Sequence, residues 1–386
     1  MTSKPSDPII QGWCPGALRP MMSGDGLVVR VRPILGQISS EVLHEIAALS
    51  ETYGNGILDV TRRANLQIRG VSEADHPALI TALRGLGLID DNVDIETRRN
   101  IIITPFRTPE TRKIAHSLMA LLPSLPDLPG KFGFAIDTGN AAVLQDVSCD
   151  LRIEKSTEGD LILRLDGAGF GIPTTDDTVA ELILRISHWF MDHGVENGRG
   201  RMAKLLAKDV DIPTEFRGTI APRRAHVPPK SGPIDDGLLL GCTYGQITSH
   251  ALKNIAALGV EITMTPWRGL FLARQRTTPD IDGITLDPTD PRLRIAACPG
   301  APKCPQGLGD PRALADVLAP FLPADLDLHI SGCAKGCAAT HAVDVALTAT
   351  CDGYDIIYNG LASDAPTHTG VSLDALKAAP QRFFEG

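Results

Sequence analysis

Gly36-Gln37-Ile38-Ser39-Ser40 returns 209 residues later as Gly245-Gln246-Ile247-Thr248-Ser249. The same offset carries Ile46-Ala47-Ala48-Leu49 onto Ile255-Ala256-Ala257-Leu258. Leu27-Val28-Val29-Arg30-Val31 precedes the first copy and Leu238-Leu239-Leu240 the second, both of strand character. A second pair of strands follows each copy, over Gly56 to Gly70 and over Gly259 to Arg274. The hydroxyl side chains after Gln37 and Gln246 suit helix N-caps, because their oxygens accept from amides that a first helical turn leaves unpaired. Each copy therefore reads strand, turn, helix, strand. Order and spacing together favour internal duplication over chance. A duplicated chain tends to pair its copies about a pseudo-two-fold axis, where a shared cleft is a natural ligand site.

Between the copies, Gly218 to Pro233 (GTIAPRRAHVPPKSGP) is rich in proline and basic residues and lacks periodicity, so it reads as a linker. Each copy is followed by a longer α/β stretch. The first runs from about Thr97 to Val210, with a helix expected near Thr178–His193, and the second from about Arg294 onward.

The chain has 386 residues, of which 43% are hydrophobic and 22% charged, enough for several domains with sizeable cores. Its net charge of −9 argues against broad nucleic-acid affinity, and with 4% aromatic residues base-stacking platforms are not expected. No apolar run approaches the roughly 20 residues that cross a bilayer, and Met1 to Ile10 has no apolar core of a signal peptide. The expected address is cytoplasmic, where cysteines serve as thiols or metal ligands more often than as disulfides.

Four of the eight cysteines form two arms, Cys298-x5-Cys304 and Cys333-x3-Cys337. A four-iron, four-sulfur cluster needs four converging thiolates, and two local pairs achieve this with one long loop closure. Gly300, Gly332 and Gly336, with Pro299, Pro302 and Pro305, let the backbone approach closely and aim amides at sulfur. The alternatives are a structural zinc site, whose arms are usually C-x2–4-C, and buried structural cysteines. Cys14, Cys149, Cys242 and Cys351 are isolated, the last three among strand-like residues suited to a core.

With the duplication, these arms resemble the sirohaem sulfite/nitrite reductase superfamily over roughly Gly24 to Ala346. Thr61-Arg62-Arg63-Ala64-Asn65-Leu66-Gln67 resembles its Thr-x-Arg-Gln-x-x-Gln element, with Ala64 where glutamine is usual. Arg99-Asn100-Ile101 and Leu128-Pro129-Gly130-Lys131-Phe132 resemble two further elements, and Asn197 to Leu206 an arginine-rich helix start. The resemblance implies an α+β, duplicated sulfite/nitrite-reductase-like architecture. Two ferredoxin-like half-domains and two α/β cluster/tetrapyrrole domains would sit around a pseudo-two-fold axis. The expected boundaries are 1–90 for the N-terminal segment and first ferredoxin-like half-domain and 91–217 for the first tetrapyrrole-binding α/β domain. The linker follows at 218–233, then the second half-domain at 234–290 and the cysteine-bearing α/β domain at 291–386.

In that superfamily the matched positions form a basic cage, which implies Arg63, Arg99 and Lys131 here. Arg69 and Arg268 are further candidates for tetrapyrrole carboxylates, since arginine pairs bidentately with them. Arg63 and Arg268 are read as matching positions of the two copies, as are Arg69 and Arg274. The position of a second cage lysine is Gly133, which weakens the case for six-electron reduction of a small anion. Gly12-Trp13-Cys14-Pro15-Gly16, with Pro20 to Gly26 and Arg30-Val31-Arg32, resembles the precorrin-3B synthase branch. That branch implies an O2-dependent monooxygenase acting on precorrin-3A, with NAD(P)H-derived electrons delivered by a reductase, ferredoxin or flavodoxin. The [4Fe–4S] cluster would be a relay. A mononuclear non-haem iron is the simplest oxygen-activating centre if sirohaem is absent. Sirohaem itself belongs to the alternative reading, a sulfite or nitrite reductase; a third reading is a non-catalytic tetrapyrrole-binding or electron-transfer protein. Of the ten histidines, His329 and His341 flank the cysteine arm, and no ligand set is assigned from them.

Overall fold

The helices begin where the hydroxyl residues predict. Ser39 accepts from the Val42 amide to start a helix over Ser40–Tyr53, and Thr248 accepts from the Ala251 amide to start one over Ser249–Ala256. Both helices bury one apolar face, with Leu43 and Ile46 in the first and Leu252 and Ile255 in the second. The computed structural model describes residues 15–208, 210–339 and 341–384. The Gly12-Trp13-Cys14 portion of the N-terminal resemblance lies outside the described residues.

Each copy yields a five-stranded antiparallel path, and each path takes its last strand from the other copy. Met21–Ser23, Gly26–Val31, Leu66–Val71 and Ile57–Val60 are completed by Gln246–Thr248 of the second copy. Reciprocally, Gly232–Ile234, Gly237–Cys242, Gly269–Ala273 and Ile262–Met264 are completed by Gln37–Ile38 of the first. Ile247 pairs with Leu58 and Ile38 with Ile262, the two-fold image of one contact. One hydrophobic core then runs through both half-domains and includes both helices. Neither copy closes its sheet alone.

The strand registers correct one sequence expectation. Leu66 pairs with Val60 and Leu270 with Met264, which makes Leu66 and Leu270 equivalent. Arg268 therefore matches Ala64, and Arg274 matches Gly70, not Arg63 and Arg69. The backbone agrees, with positive φ at Ala64 (52°) and Arg268 (56°), and at Gly70 (75°) and Arg274 (62°). The helix is 14 residues long in the first copy and 8 in the second, so an offset counted across it slips.

The α/β portions are also copies. Ile101–Ile103, Phe134–Asp137 and Leu151–Lys155 are parallel neighbours, as are Ile295–Ala297, Leu328–Ser331 and Val343–Thr350. Antiparallel strands Leu161–Leu165 and Ile172–Pro173 complete the first sheet, and Gly353–Gly360 and His368–Val371 the second. Each sheet has its own core, and the helix expected near Thr178–His193 spans Val179–Gly194. The stretch 218–233 lies along the first sheet's domain through bridges at Gly171–Ile220, Ser156–Pro222 and Ala142–Ala225, and its last residues enter the Gly232–Ile234 strand. No helix among the described residues is long and apolar enough to cross a membrane.

Candidate redox and anion-binding site

Strand Ile295–Ala297 ends at Cys298, and its parallel neighbour Leu328–Ser331 ends two residues before Cys333. Both cysteine arms thus leave the carboxyl ends of adjacent parallel strands, where open α/β sheets place their ligands. The Cys298 amide donates to the Ile330 carbonyl at 3.4 Å, just as the Thr104 amide donates to Ile136 at 2.9 Å in the first copy. The first copy has Thr104, and no cysteine, at the position of Cys298.

The two arms lie against each other through glycine. The Gly332 amide donates to Cys298 Sγ at 3.2 Å, and the Leu308 amide donates to the Gly332 carbonyl at 2.8 Å. A Cβ at Gly332 would lie 3.1 Å from Gly300 Cα and 3.5 Å from Cys298 Sγ, so a side chain there would wedge the arms apart. Gly300 and Gly336 adopt φ of 60° and 62°, which glycine alone takes without strain. Burial raises the Cys298 thiol, the Gly332 and Gly300 amides oppose it, and Cys333 and Cys304 add to it. Desolvation at its sulfur pushes Cys337 up to about 11, with Lys335 opposing and the other three thiols adding, although the residue as a whole is exposed. Four thiols that feel one another, with an amide aimed at sulfur, fit a multi-iron cluster. Cys149 and Cys242 are buried as expected, whereas Cys351 is exposed and not core.

The basic candidates separate into structural and available groups. Arg99 chelates Asp90, with Nε to Oδ1 at 2.8 Å and Nη2 to Oδ2 at 2.9 Å, and spends Nη1 on the Arg32 carbonyl. Arg69 is 3% exposed and binds Asp25, Asp59 and Ser23. Both guanidiniums are engaged by the fold, Arg99 by Asp90 and the Arg32 carbonyl and Arg69 by Asp25, Asp59 and Ser23, which is a bracing role and not the substrate-facing one expected. Asn100 clips the lysine-bearing loop by donating to the Gly130 and Phe132 carbonyls, each at 3.1 Å. In the arginine-rich helix start, Arg201 pins Asp150, which accepts from the Gly133 amide at 3.0 Å. Lys131 is exposed on that loop. Arg63 keeps a buried Nη1 with no hydrogen-bond partner, and a Cβ at Gly133 would stand 3.4 Å from it. The glycine lets the loop approach Asn100 and Arg63 closely.

Arg268 lies elsewhere, against the cysteine arm, donating through Nη2 to the Ala338 carbonyl at 2.5 Å. Burial, Arg62 and Arg312 press it down to about 9, so it stays protonated near neutrality. His329 is fully buried, and neither ring nitrogen has a partner. Burial, Arg268, Arg62 and His341 press it down to about 4, so it is neutral at pH 7. Arg62 Nη1 lies 3.3 Å from His341 Nδ1 at the exposed edge of this group. Arg312, reaching Asp59 at 3.0 Å, was not legible as a site residue, because only the tertiary structure brings its helix here.

Residues 19–86 match the nitrite/sulfite reductase ferredoxin-like half domain. Over that stretch the first half-domain is similar to those reductases. It is 29% identical to the precorrin-3B synthase of a Sinorhizobium species over 92% of this chain and 84% of that one. It is 24% identical to the ferredoxin–nitrite reductase of Synechococcus elongatus, over 85% of this chain and 77% of that one. The Mycobacterium tuberculosis NirA structure superposes with a TM-score of 0.70 at 20% identity, covering 92% of this chain and 80% of that one.

Proposed function

We propose that this chain is a precorrin-3B synthase-type monooxygenase, an oxidoreductase of cobalamin biosynthesis. It hydroxylates precorrin-3A at the meso carbon between rings A and D, with lactone closure from a ring A acetate. One oxygen atom of O2 enters the new C–O bond. The other leaves as water with two electrons and two protons. The observation that carries this reading is the similarity to a precorrin-3B synthase, which spans both copies and both cysteine arms.

The chain's own residues have definable parts in it. Cys298, Cys304, Cys333 and Cys337 would hold a [4Fe–4S] cluster, which supplies one-electron transfer from an NAD(P)H-linked reductase, ferredoxin or flavodoxin. The macrocycle lies between the α/β domains, 91–217 and 291–386, which the half-domains hold in fixed relation. Arg63 and Lys131 bind its carboxylates from the first copy and Arg268 from the second. Gly133 stands where the resemblance places a second cage lysine, and the lack of that cation suits a small anion such as sulfite or nitrite poorly. A mononuclear iron has no ligand set among the described residues, so no residue is assigned to oxygen activation. The reduced thiols this site requires suit the cytoplasm.

The test is anaerobic purification followed by an optical spectrum and turnover of precorrin-3A under isotopically labelled dioxygen. A broad iron–sulfur absorbance with label in the product is expected. Intense tetrapyrrole bands in the purified protein, with sulfite or nitrite reduction, would establish the sirohaem reductase instead. Unlabelled, unchanged precorrin would reduce the chain to a binding protein.

A further inference from the structure

His329 is 0% exposed, with both ring nitrogens lacking a hydrogen-bond partner. Burying such a group unpaired is costly, so its surroundings show what it is built to meet. Those surroundings are cationic. Arg268 and Arg62 are the cationic neighbours acting on it, with the His341 imidazole nearby. Arg312 stands beside Arg268 and retains a buried Nε and Nη1 with no partner. The opposing carboxylates are few. Asp59 is shared between Arg69 and Arg312, while Asp327 acts on Arg62 and His341, and Asp146 on His341, without bonding them. A metal cation would be repelled here, so two nearby imidazoles are poor evidence for one. An anion with acceptor oxygens would satisfy the group.

Position adds a second argument. Arg268 holds the Ala338 carbonyl, one residue beyond Cys337, and a Cβ at Gly336 would lie 3.5 Å from the His329 ring. The cations thus bracket the arm that carries Cys337. At its outer edge the group opens through Arg62 and His341, both exposed.

We propose that Arg62, Arg268, His329 and His341 form a subsite for one carboxylate arm of the tetrapyrrole substrate, which seats the macrocycle's edge against the Cys337 loop. The subsite rests on the function proposed above and adds a specific contact from the second copy, opposite Arg63 and Lys131. Arg62 and His341 receive the carboxylate at the entrance. His329, neutral, donates one N–H to it from below, and Arg268 supplies a fixed positive charge.

The probe is uroporphyrin III, an octacarboxylate macrocycle, titrated into the purified cluster-loaded protein by fluorescence, with its octamethyl ester as uncharged control. Arg62→Ala and His329→Gln are each expected to weaken uroporphyrin III binding about tenfold, as loss of one charge-assisted contact does. The ester should bind wild type and variants alike, and Arg185→Ala, remote on the first α/β domain, should bind as wild type. Arg62→Lys should restore part of the affinity. Iron and sulfide content and melting temperature establish that each variant is folded; Arg62, being exposed, is the variant that decides if His329→Gln does not fold. Wild-type binding left unchanged by Arg62→Ala overturns the subsite and leaves the proposed function standing. Failure of the wild type to bind the octacarboxylate overturns both.

Discussion

Arg268 donates to the carbonyl of Ala338 at 2.5 Å, so the second half-domain grips the cysteine arm directly beside Cys337. Arg69 makes a comparable link on the other arm, reaching the Lys303 carbonyl at 3.4 Å and Asp25 and Asp59 at 2.8 and 3.0 Å. The cluster loops are thereby held by arginines of both half-domains, and the behaviour of those arginines separates bracing from binding.

Cys337→Ser should abolish the iron–sulfur absorbance and most acid-labile sulfide, together with activity, since three thiolates retain a cluster poorly in air. Iron and sulfide per chain measure it directly. Full retention of both would remove Cys337 from the ligand set.

Arg69→Ala should destabilise the protein by about 3–5 kcal/mol, the usual result of stripping one partner from a buried ion pair. Asp59 shows the reason: burial raises its carboxyl, but Arg312 and Arg69 outweigh that and hold it below its ordinary value. Denaturant unfolding reads the loss. A stable variant with only weakened substrate binding would return Arg69 to the substrate site.

Arg63→Ala and Arg99→Ala should diverge. Arg63 has a free buried Nη1, so its loss should raise KM for the macrocycle about tenfold or more with little change in stability. Arg99 chelates Asp90, so its loss should cost about 3 kcal/mol or more of stability. Parallel Michaelis and unfolding measurements on the two variants decide, and a reversed pattern would overturn the assignment.

Asp137 predicts a pH dependence. Burial raises its carboxyl to about 7, the Leu144 amide opposes this and Glu154 adds to it. A folded-state pKa above the unfolded value means the folded form holds a proton that the unfolded form releases. Stability from this group is thus full below about pH 4 and declines until about pH 7, where the penalty levels off at up to about 4 kcal/mol. Asp137→Asn should be more stable than wild type at pH 8, and the advantage should vanish toward pH 4. Equal stabilities at pH 8 would show the carboxyl titrating normally.

Gly133→Lys should not rebuild the missing cage position at no cost. Its Cβ would meet the Asn100 carbonyl at 3.1 Å and Arg63 Nη1 at 3.4 Å. A loss of about 1–2 kcal/mol and weaker substrate binding are expected, through overpacking and displacement of Arg63. Unchanged binding and stability would show the space beside Arg63 to be larger than these distances indicate.

The sequence by itself determined the duplication, the helix starts at Ser39 and Thr248, and the two cysteine arms. All are local, because a cap, an apolar face and a glycine-flanked cysteine pair are each written within a few residues. Only the tertiary structure decided that Gln37–Ile38 and Gln246–Thr248 change sheets, since a two- or three-residue strand carries no signal of its partner. Only it decided which cations are available. Arg69 and Arg99 carry the same charge as Arg63, and what distinguishes them is a carboxylate brought alongside by the folded backbone, Asp90 for Arg99 and Asp25 and Asp59 for Arg69, which composition and spacing do not reveal. The pairing of Arg268 with Ala64 belongs to the same class, because a helix of different length moves an offset by residues while the strand register holds it fixed.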